Sequence, residues 1–344
     1  NVALGHSALG QETTGSFNVA IGHKSLATLN VDDNGHNTAV GYRSGVAMTT
    51  GIQNTVLGAN AGDAITTGSR NVAVGSAALT SEDAHGRNVA VGWYALYAQD
   101  AGADAYNTAI GYFAGGTIST GVQNIIIGGL AGDALTTGSY NIAIGHNALG
   151  AEDTHGRNVA IGNDALKVQD AGANAYNTAI GYRSGLAVST GTYNTIVGGS
   201  AGGALTTGAS TTVLGAEALS AEDTESFNTA IGHQALKVQN GGSKNTAIGR
   251  QAGLAVSTGD NNTIIGGNAG DALTTGGNNI IIGFDAAASA VDVDNEITLG
   301  DANITAFRCA DQSIAALSDG RDKTDVKDSS YGLEFINTIR PVEF

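Results

Sequence analysis

Apolar and polar positions alternate along this chain in a frame of nearly constant length. The pattern Asn-x-[Ala/Val/Ile]-aliphatic-Gly starts at Asn1, Asn18, Asn37, Asn54, Asn71, Asn88, Asn107, Asn124, Asn141, Asn158, Asn177 and Asn194. It passes through one variant start, Thr211, and resumes at Asn228, Asn245, Asn262 and Asn279. These seventeen units lie 17 residues apart, with three intervals of 19. In every unit the fourth residue is Val, Ile or Leu and the fifth is Gly; the eighth is Ala in fourteen and Ser at Ser25, Ser44 and Ser184. Frequent Gly and β-branched residues disfavour a helical repeat. The frame predicts an all-β chain, each unit forming one rung of an elongated parallel β-roll or β-solenoid. Two short strands per rung are expected, joined by tight turns in which Gly takes positive φ. Stacked Asn side chains are expected to form a hydrogen-bonded ladder. With rungs about 4.8 Å apart, seventeen would make a shaft of about 80 Å.

A longer rhythm runs through the ninth position. Two Leu-type units (Leu9, Leu26) alternate with two Gly-type units (Gly45, Gly62), and so on to Gly270, before a final Ala287. All eight Gly-type units carry [Ser/Thr]-Thr-Gly at positions 13 to 15. The two extra residues of the long intervals fall in the second Leu-type unit of a quartet, giving a super-repeat of 70 residues. The invariant Ala/Ser row is expected to mark the close approach of another backbone. Three parallel chains packed on those rows, which would also bury the Val/Ile edge, are the assembly this predicts.

The recurring "NTAIG", "NVAIG" and "NIAIG" resemble the head repeats of trimeric autotransporter adhesins. That resemblance, over residues 1–283, implies a left-handed trimeric β-roll, although the unit here is longer.

Composition narrows the class. The 344 residues include 52 Gly but one Pro, without the three-residue period of collagen. An apolar share of 42% argues against disorder. A formal net charge of −16 makes nucleic acid and anionic membranes poor partners. No apolar run approaches the ~20 residues of a membrane span, and the lone Cys309 forms no intrachain disulfide. The chain starts inside a repeat without Met and reads as a piece of something longer.

Several shaft features invite a chemical reading. "SEDAHGRN" (81–88) recurs as "AEDTHGRN" (151–158) and partly as "AEDTESFN" (221–228). Its Glu, Asp and His could hold a cation or touch a glycan, but a solvated exterior turn is the reading preferred. The acidic loops with Asp32, Asp33, Asp100, Asp104 and Asp170 lack the ordered oxygen spacing of a calcium loop. His6, His23, His146 and His233 each follow the invariant Gly without a second repeating ligand. A Thr array that orders ice is interrupted, since the Thr-Thr-Gly element is missing from half the rungs. No metal or cofactor is expected, and the shaft carries no catalytic constellation.

After Gly283 the frame is lost, and residues 284–317 are expected to be a capping β segment. Then comes "SDGRDKTDVKDSSYGLEFINTIRPVEF", where Leu333, Phe335, Ile336 and Ile339 suit a short helix ending before Pro341. Ser-Asp-x-Arg-x-Lys, Asp-Val, Gly-Leu-x-Phe-Ile and Arg-Pro-Val, in that order, are similar to the start of the intramolecular chaperone domain of phage tail fibres and tailspikes. The resemblance implies a truncated chaperone at 318–344 that trimerises the fibre and cuts itself off. It makes Ser318 the cleavage-site serine, Asp319 the new N-terminus and Lys323 the base, a role open to a desolvated Lys. The expectation is a homotrimeric tail-fibre shaft, extracellular on a virion. It is not an enzyme beyond single-turnover autoproteolysis, and it partners other tail proteins and a host glycan or protein receptor. A cellular trimeric surface adhesin or filament component is the alternative.

Overall fold

The computed structural model describes residues 1–306 apart from Asp223, together with Arg308. The chain forms two compact units, Asn1–Asn303 and Ile304–Phe344. The first is a parallel β-solenoid. Eighteen three-residue strands, from β1 (Val2–Leu4) to β18 (Ile297–Leu299), make one sheet in which each pairs in parallel with its chain neighbours. Register holds at both spacings: Ile110 lies against Ile127, and Val91 against Ile110. The two extra residues of a long interval are therefore expelled into a loop. Seventeen strand steps give this unit a length of roughly 80 Å.

Each rung holds one strand, not the two expected from the sequence. The remainder bends too often for a second. Besides the Gly, positive φ recurs at non-glycine residues: in the eighth rung at Leu130 (56°) and Tyr140 (64°), in the sixth at Tyr94 (57°) and Leu96 (48°). These turns still stack, since Gly62 N–H donates to Ala78 O at 2.9 Å and Thr49 N–H to Thr66 O at 2.8 Å. The Ser/Thr-Thr-Gly turns add side-chain links, such as Thr66 Oγ1 to Asp83 O and Thr136 Oγ1 to Asp153 O, both 2.8 Å. The last strand lies beyond Gly283, where the sequence frame was expected to fail. Ile297 pairs with Ile280 at the usual spacing, and Glu296 stands in place of Asn. Its N–H meets Asn279 Oδ1 at 2.8 Å as an Asn would, so only the side chain hid the rung.

The Asn side chains line the interior. Asn124 N–H donates to Asn107 Oδ1 at 2.8 Å, and Asn124 Oδ1 accepts from Asn141 N–H at 2.9 Å. Its Nδ2 crosses its own rung to Gly138 O at 2.9 Å. Among the described residues the rung-to-rung half breaks once: Thr211 N–H reaches Asn194 Oδ1 at 3.0 Å, but its own Oγ1 turns to Ala209 O at 3.3 Å. The cross-turn half is missing in the three 19-residue rungs, where Asn18 and Asn158 Nδ2 have no partner and Asn88 Nδ2 turns to Glu82 Oε2.

The core explains the long rhythm by exchange of volume. Inside the terminal rungs, the middle residue of each strand (Ala20 to Ile281), the eighth residue, and the ninth when Leu all point inward and are buried. In Gly-type rungs the missing ninth side chain is replaced from elsewhere. A Cβ at Gly62 would meet Ile65 at 2.8 Å and Val56 at 3.4 Å; one at Gly132 would meet Leu135 at 2.9 Å and Ile126 at 3.1 Å. Core volume is thus held nearly constant while the residues change. The Ala/Ser row, expected to face another chain, lies inside this one: Ala78, Ala95, Ala114 and Ala131 are fully buried. It is small because the opposite walls of a narrow roll meet there.

The invariant fifth glycine is required twice over. Gly128 has φ of 136°, which L side chains avoid, and a Cβ there would sit 2.5 Å from Gly145 O of the next rung. Gly128→Ala should therefore destabilise the shaft by about 3 kcal/mol or more. Gly199, with open space around its would-be Cβ, is the control, and Gly199→Ala should be nearly neutral. Urea melts of both variants check the pair; equal midpoints would contradict this account of the glycine column.

Candidate functional sites

The twelfth position carries polar groups into the core. It is aliphatic in Gly-type rungs (Ile65, Leu135, Val188, Leu273), yet Glu12, Glu82, Glu152 and Glu222 occupy it in the first rung of each quartet. Gln99, Gln169 and Gln239 follow in the second rung. Glu82, Glu152 and Glu222 are fully buried, which corrects the expectation of a solvated turn for the segments that contain them. Asp83 and Arg87 of the same segment are exposed. Each Glu ties the turn it starts. Its Oε1 accepts the backbone N–H three residues on: Gly15 at 2.7 Å, His85 at 3.0 Å, His155 at 3.1 Å and Glu225 at 3.1 Å. The Gln side chains complete the pattern, with Gln99 Oε1 accepting from Asn107 Nδ2 at 2.5 Å and Gln239 Nε2 donating to Glu222 Oε2 at 3.0 Å. A Glu on a position shared with Ile and Leu was the available signal, masked by the exposed acids beside it.

Two of these carboxyls sit in mixed clusters. Glu152, Asp153, His155 and Asp170 each bring one ligand atom within 4.8 Å of the others, and Glu82, Asp83 and His85 do the same. His155 Nδ1 lies 3.7 Å from Glu152 Oε1, and Thr154 Oγ1 is 2.9 Å from the same nitrogen. One imidazole nitrogen with carboxylate oxygens is a donor set that divalent transition metals accept. Burial pushes Glu82 and Glu152 up to about 7. Backbone hydrogen bonds from His85 and His155 oppose that rise, while Asp83 and Asp100, or Asp153 and Asp170, add to it.

Outside the core, side chains at one frame position stack from rung to rung. His6 lies on His23 with ring centres 5.3 Å apart, and His23 on Tyr42 at 5.5 Å, so these two histidines belong to a ring stack. In the residue before each Asn, Arg157 lies between Tyr140 (5.6 Å) and Tyr176 (5.4 Å), and Tyr176 stacks on Tyr193 at 5.3 Å. A third group gathers Trp93, Tyr94, Tyr97, Tyr112 and Phe113. The cleavage residues named from the sequence, Ser318, Asp319 and Lys323, lie outside the described residues, as does the helix over 333–339. No protein-family model matches the chain, and no curated protein matches it.

Glu82 and Glu152 make a pH dependence. At pH below the ordinary 4.5 the carboxyls carry a proton in folded and unfolded chains alike, and their penalty is nil. Between 4.5 and about 7 the unfolded chain ionises first, so stability falls as pH rises, then levels off above. Thermal melts from pH 4.5 to 8 should show this decline. The double variant Glu82→Gln, Glu152→Gln, which copies the neighbouring Gln rungs, should flatten it; an unchanged slope would contradict the buried, proton-holding state.

Proposed function

We propose that this chain is the shaft of a homotrimeric phage tail fibre, used for host attachment. Its C-terminal part is the start of a chaperone that assembles the trimer and is released by cleavage between Ser318 and Asp319. The observation that carries the reading is the outer face of the sheet. All outward-facing strand positions, from Val2 and Leu4 to Ile297 and Leu299, are Val, Ile, Leu or Thr. They form an uncharged ribbon along the whole unit. Ile110, Ile125, Ile180, Leu214 and Ile248 remain 37–48% exposed in the single chain. A continuous uncharged strip of exposed Val, Ile and Leu beside Thr is the kind of surface that marks an interaction face. Copies of the same chain are the partner that fits, because a straight repeating ribbon is matched along its full length by another of equal pitch. The number three comes from the resemblance of the repeats and of the terminal segment to trimeric fibres.

A shaft of near-identical rungs also needs its register set. A slip by whole rungs would leave most of such an interface formed, so the strips alone specify alignment weakly. A terminal trimeriser that fixes alignment once, and is then discarded, answers that need.

Native mass spectrometry of the purified chain should give three times the chain mass, and a stable monomer would overturn the assembly. For the terminal segment, expression with its downstream sequence should yield a product ending at Ser318. Lys323→Ala should abolish the cut, and cleavage that persists in that variant would remove Lys323 from the role of base.

A further inference from the structure

A surface groove recurs at super-repeat spacing, built on the same frame positions each time. Ser7, Ala77 and Asn147 hold one of its positions; Ala27, Tyr97 and Lys167 hold another. Beneath it the rungs repeat almost unchanged, with Leu9, Leu79 and Leu149 at one core site. Apart from Asp63 and Asp133, which correspond, the chemistry above them does not repeat. In the third copy Lys167 Nζ lies 3.1 Å from Asp164 Oδ1, and at the equivalent place in the fourth Lys237 Nζ lies 2.7 Å from Glu217 Oε2. Those cations are neutralised within the chain.

The second copy is different. Its cleft, of about 380 Å³, is lined by Arg43, Asn60, Asp63, Ser81, Tyr94 and Tyr97, with Ala77 and Thr80 completing it. That size suits a small-molecule site. Tyr94 is packed by Trp93 (ring centres 3.9 Å apart) and Tyr97 (4.6 Å), and Trp93 is stacked on Tyr112 at 5.0 Å and 9°. Trp93, Tyr97 and Tyr112 are 40–55% exposed. The same cleft carries charged and polar side chains; burial raises the Asp63 carboxyl above its ordinary range and the Arg43 charge opposes that rise.

We propose that the groove formed by Tyr94 and Tyr97 with Arg43, Asn60, Asp63 and Ser81 binds a saccharide. A pyranose presents an apolar C–H face, which suits a flat tyrosine ring, and a rim of hydroxyls that both donate and accept. Asp63 supplies acceptors, Arg43 donors, and Asn60 and Ser81 both, so the rim matches a polyol in either sense. A protein hot spot favours anchors closed off from water; here the rings border an open, charged cleft. The ligand's source, a glycan on a cell surface, rests on the attachment-fibre reading, whereas the binding itself does not.

The test uses the intact chain on an array of bacterial surface polysaccharides and neutral and acidic oligosaccharides. Binding to at least one saccharide class is expected. Trp93 is the sole tryptophan, so titration with the bound saccharide should change its emission saturably. Tyr94→Ala and Asp63→Asn should each weaken binding at least tenfold, with circular dichroism and native mass unchanged. Tyr193→Ala, on a different column, should bind as the parent does. Asp63→Asn, a substitution of equal size at a partly exposed site, keeps the test alive should Tyr94→Ala misfold. No binding to any arrayed saccharide, or binding untouched by both substitutions, would overturn the site. Saccharide binding without attachment to cells that display it would overturn the fibre reading and leave the groove. Attachment that survives both substitutions would do the reverse.

Discussion

The carboxamide of the first residue in each rung is the interaction on which the structure depends. One side chain does two things at once. Through Nδ2 it closes its own turn, as Asn54 does to Gly68 O at 2.9 Å, and through Oδ1 it holds the next rung, as Asn37 Oδ1 does for Asn54 N–H at 2.9 Å. Both bonds are buried, where an unmatched amide would cost about 1–3 kcal/mol. That pins the turn length, because a rung of another length would put its Asn out of line. The 19-residue rungs keep only the second half: Asn107 N–H still meets Asn88 Oδ1 at 3.1 Å, but Asn88 Nδ2 turns to Glu82 Oε2 and the Nδ2 groups of Asn18 and Asn158 have no partner, as the longer turn carries the cross-turn carbonyl away. Asp would offer no N–H for the cross-turn bond, and Ala neither half.

A ladder of this kind frees the rest of the rung to vary within a fixed volume. Leu at the ninth position excludes a bulky aliphatic at the twelfth in most rungs, and Gly at the ninth admits one, so the quartets alternate without changing the cross-section. Where the ninth is Leu, the twelfth takes Glu or Gln in every rung but the second, which has Leu29 there, and the polar ends reach the turn groups. Outside, the same frame sets side chains in columns about one rung apart, close enough for rings to stack. Variation there alters the surface without disturbing the roll. The aromatic group around Trp93 and the ion pairs at Lys167 and Lys237 are alternative fillings of one surface position.

Much of this was legible in the sequence, because a strict period specifies register and the Asn and Gly columns each have one physical purpose. The single strand per rung was not. Its cause is positive φ at residues such as Leu96, Tyr94 and Arg157, which carry no signal of left-handed backbone in their side chains. The Ala/Ser row was legible as a place of close approach, but not whether the approaching wall belonged to this chain. Burial of Glu152 could be read only by aligning it with Leu135 of the preceding rung, since its neighbours Asp153 and His155 are ordinary surface residues in composition. Glu296 concealed the last strand by replacing the residue that defines the frame.

The strand face is where fold and function meet. Its middle residues build the core, while its flanking Thr, Val, Ile and Leu form the face proposed to meet other copies, and the acidic surplus of the chain is kept off it entirely. An electron cryomicroscopy map of the purified shaft tests this most directly. The account predicts a cross-section of three rolls with their strand faces turned to a common axis, and a rise of about 4.8 Å per rung. A single roll with its strand face open to solvent, or rolls joined through another side, would contradict it.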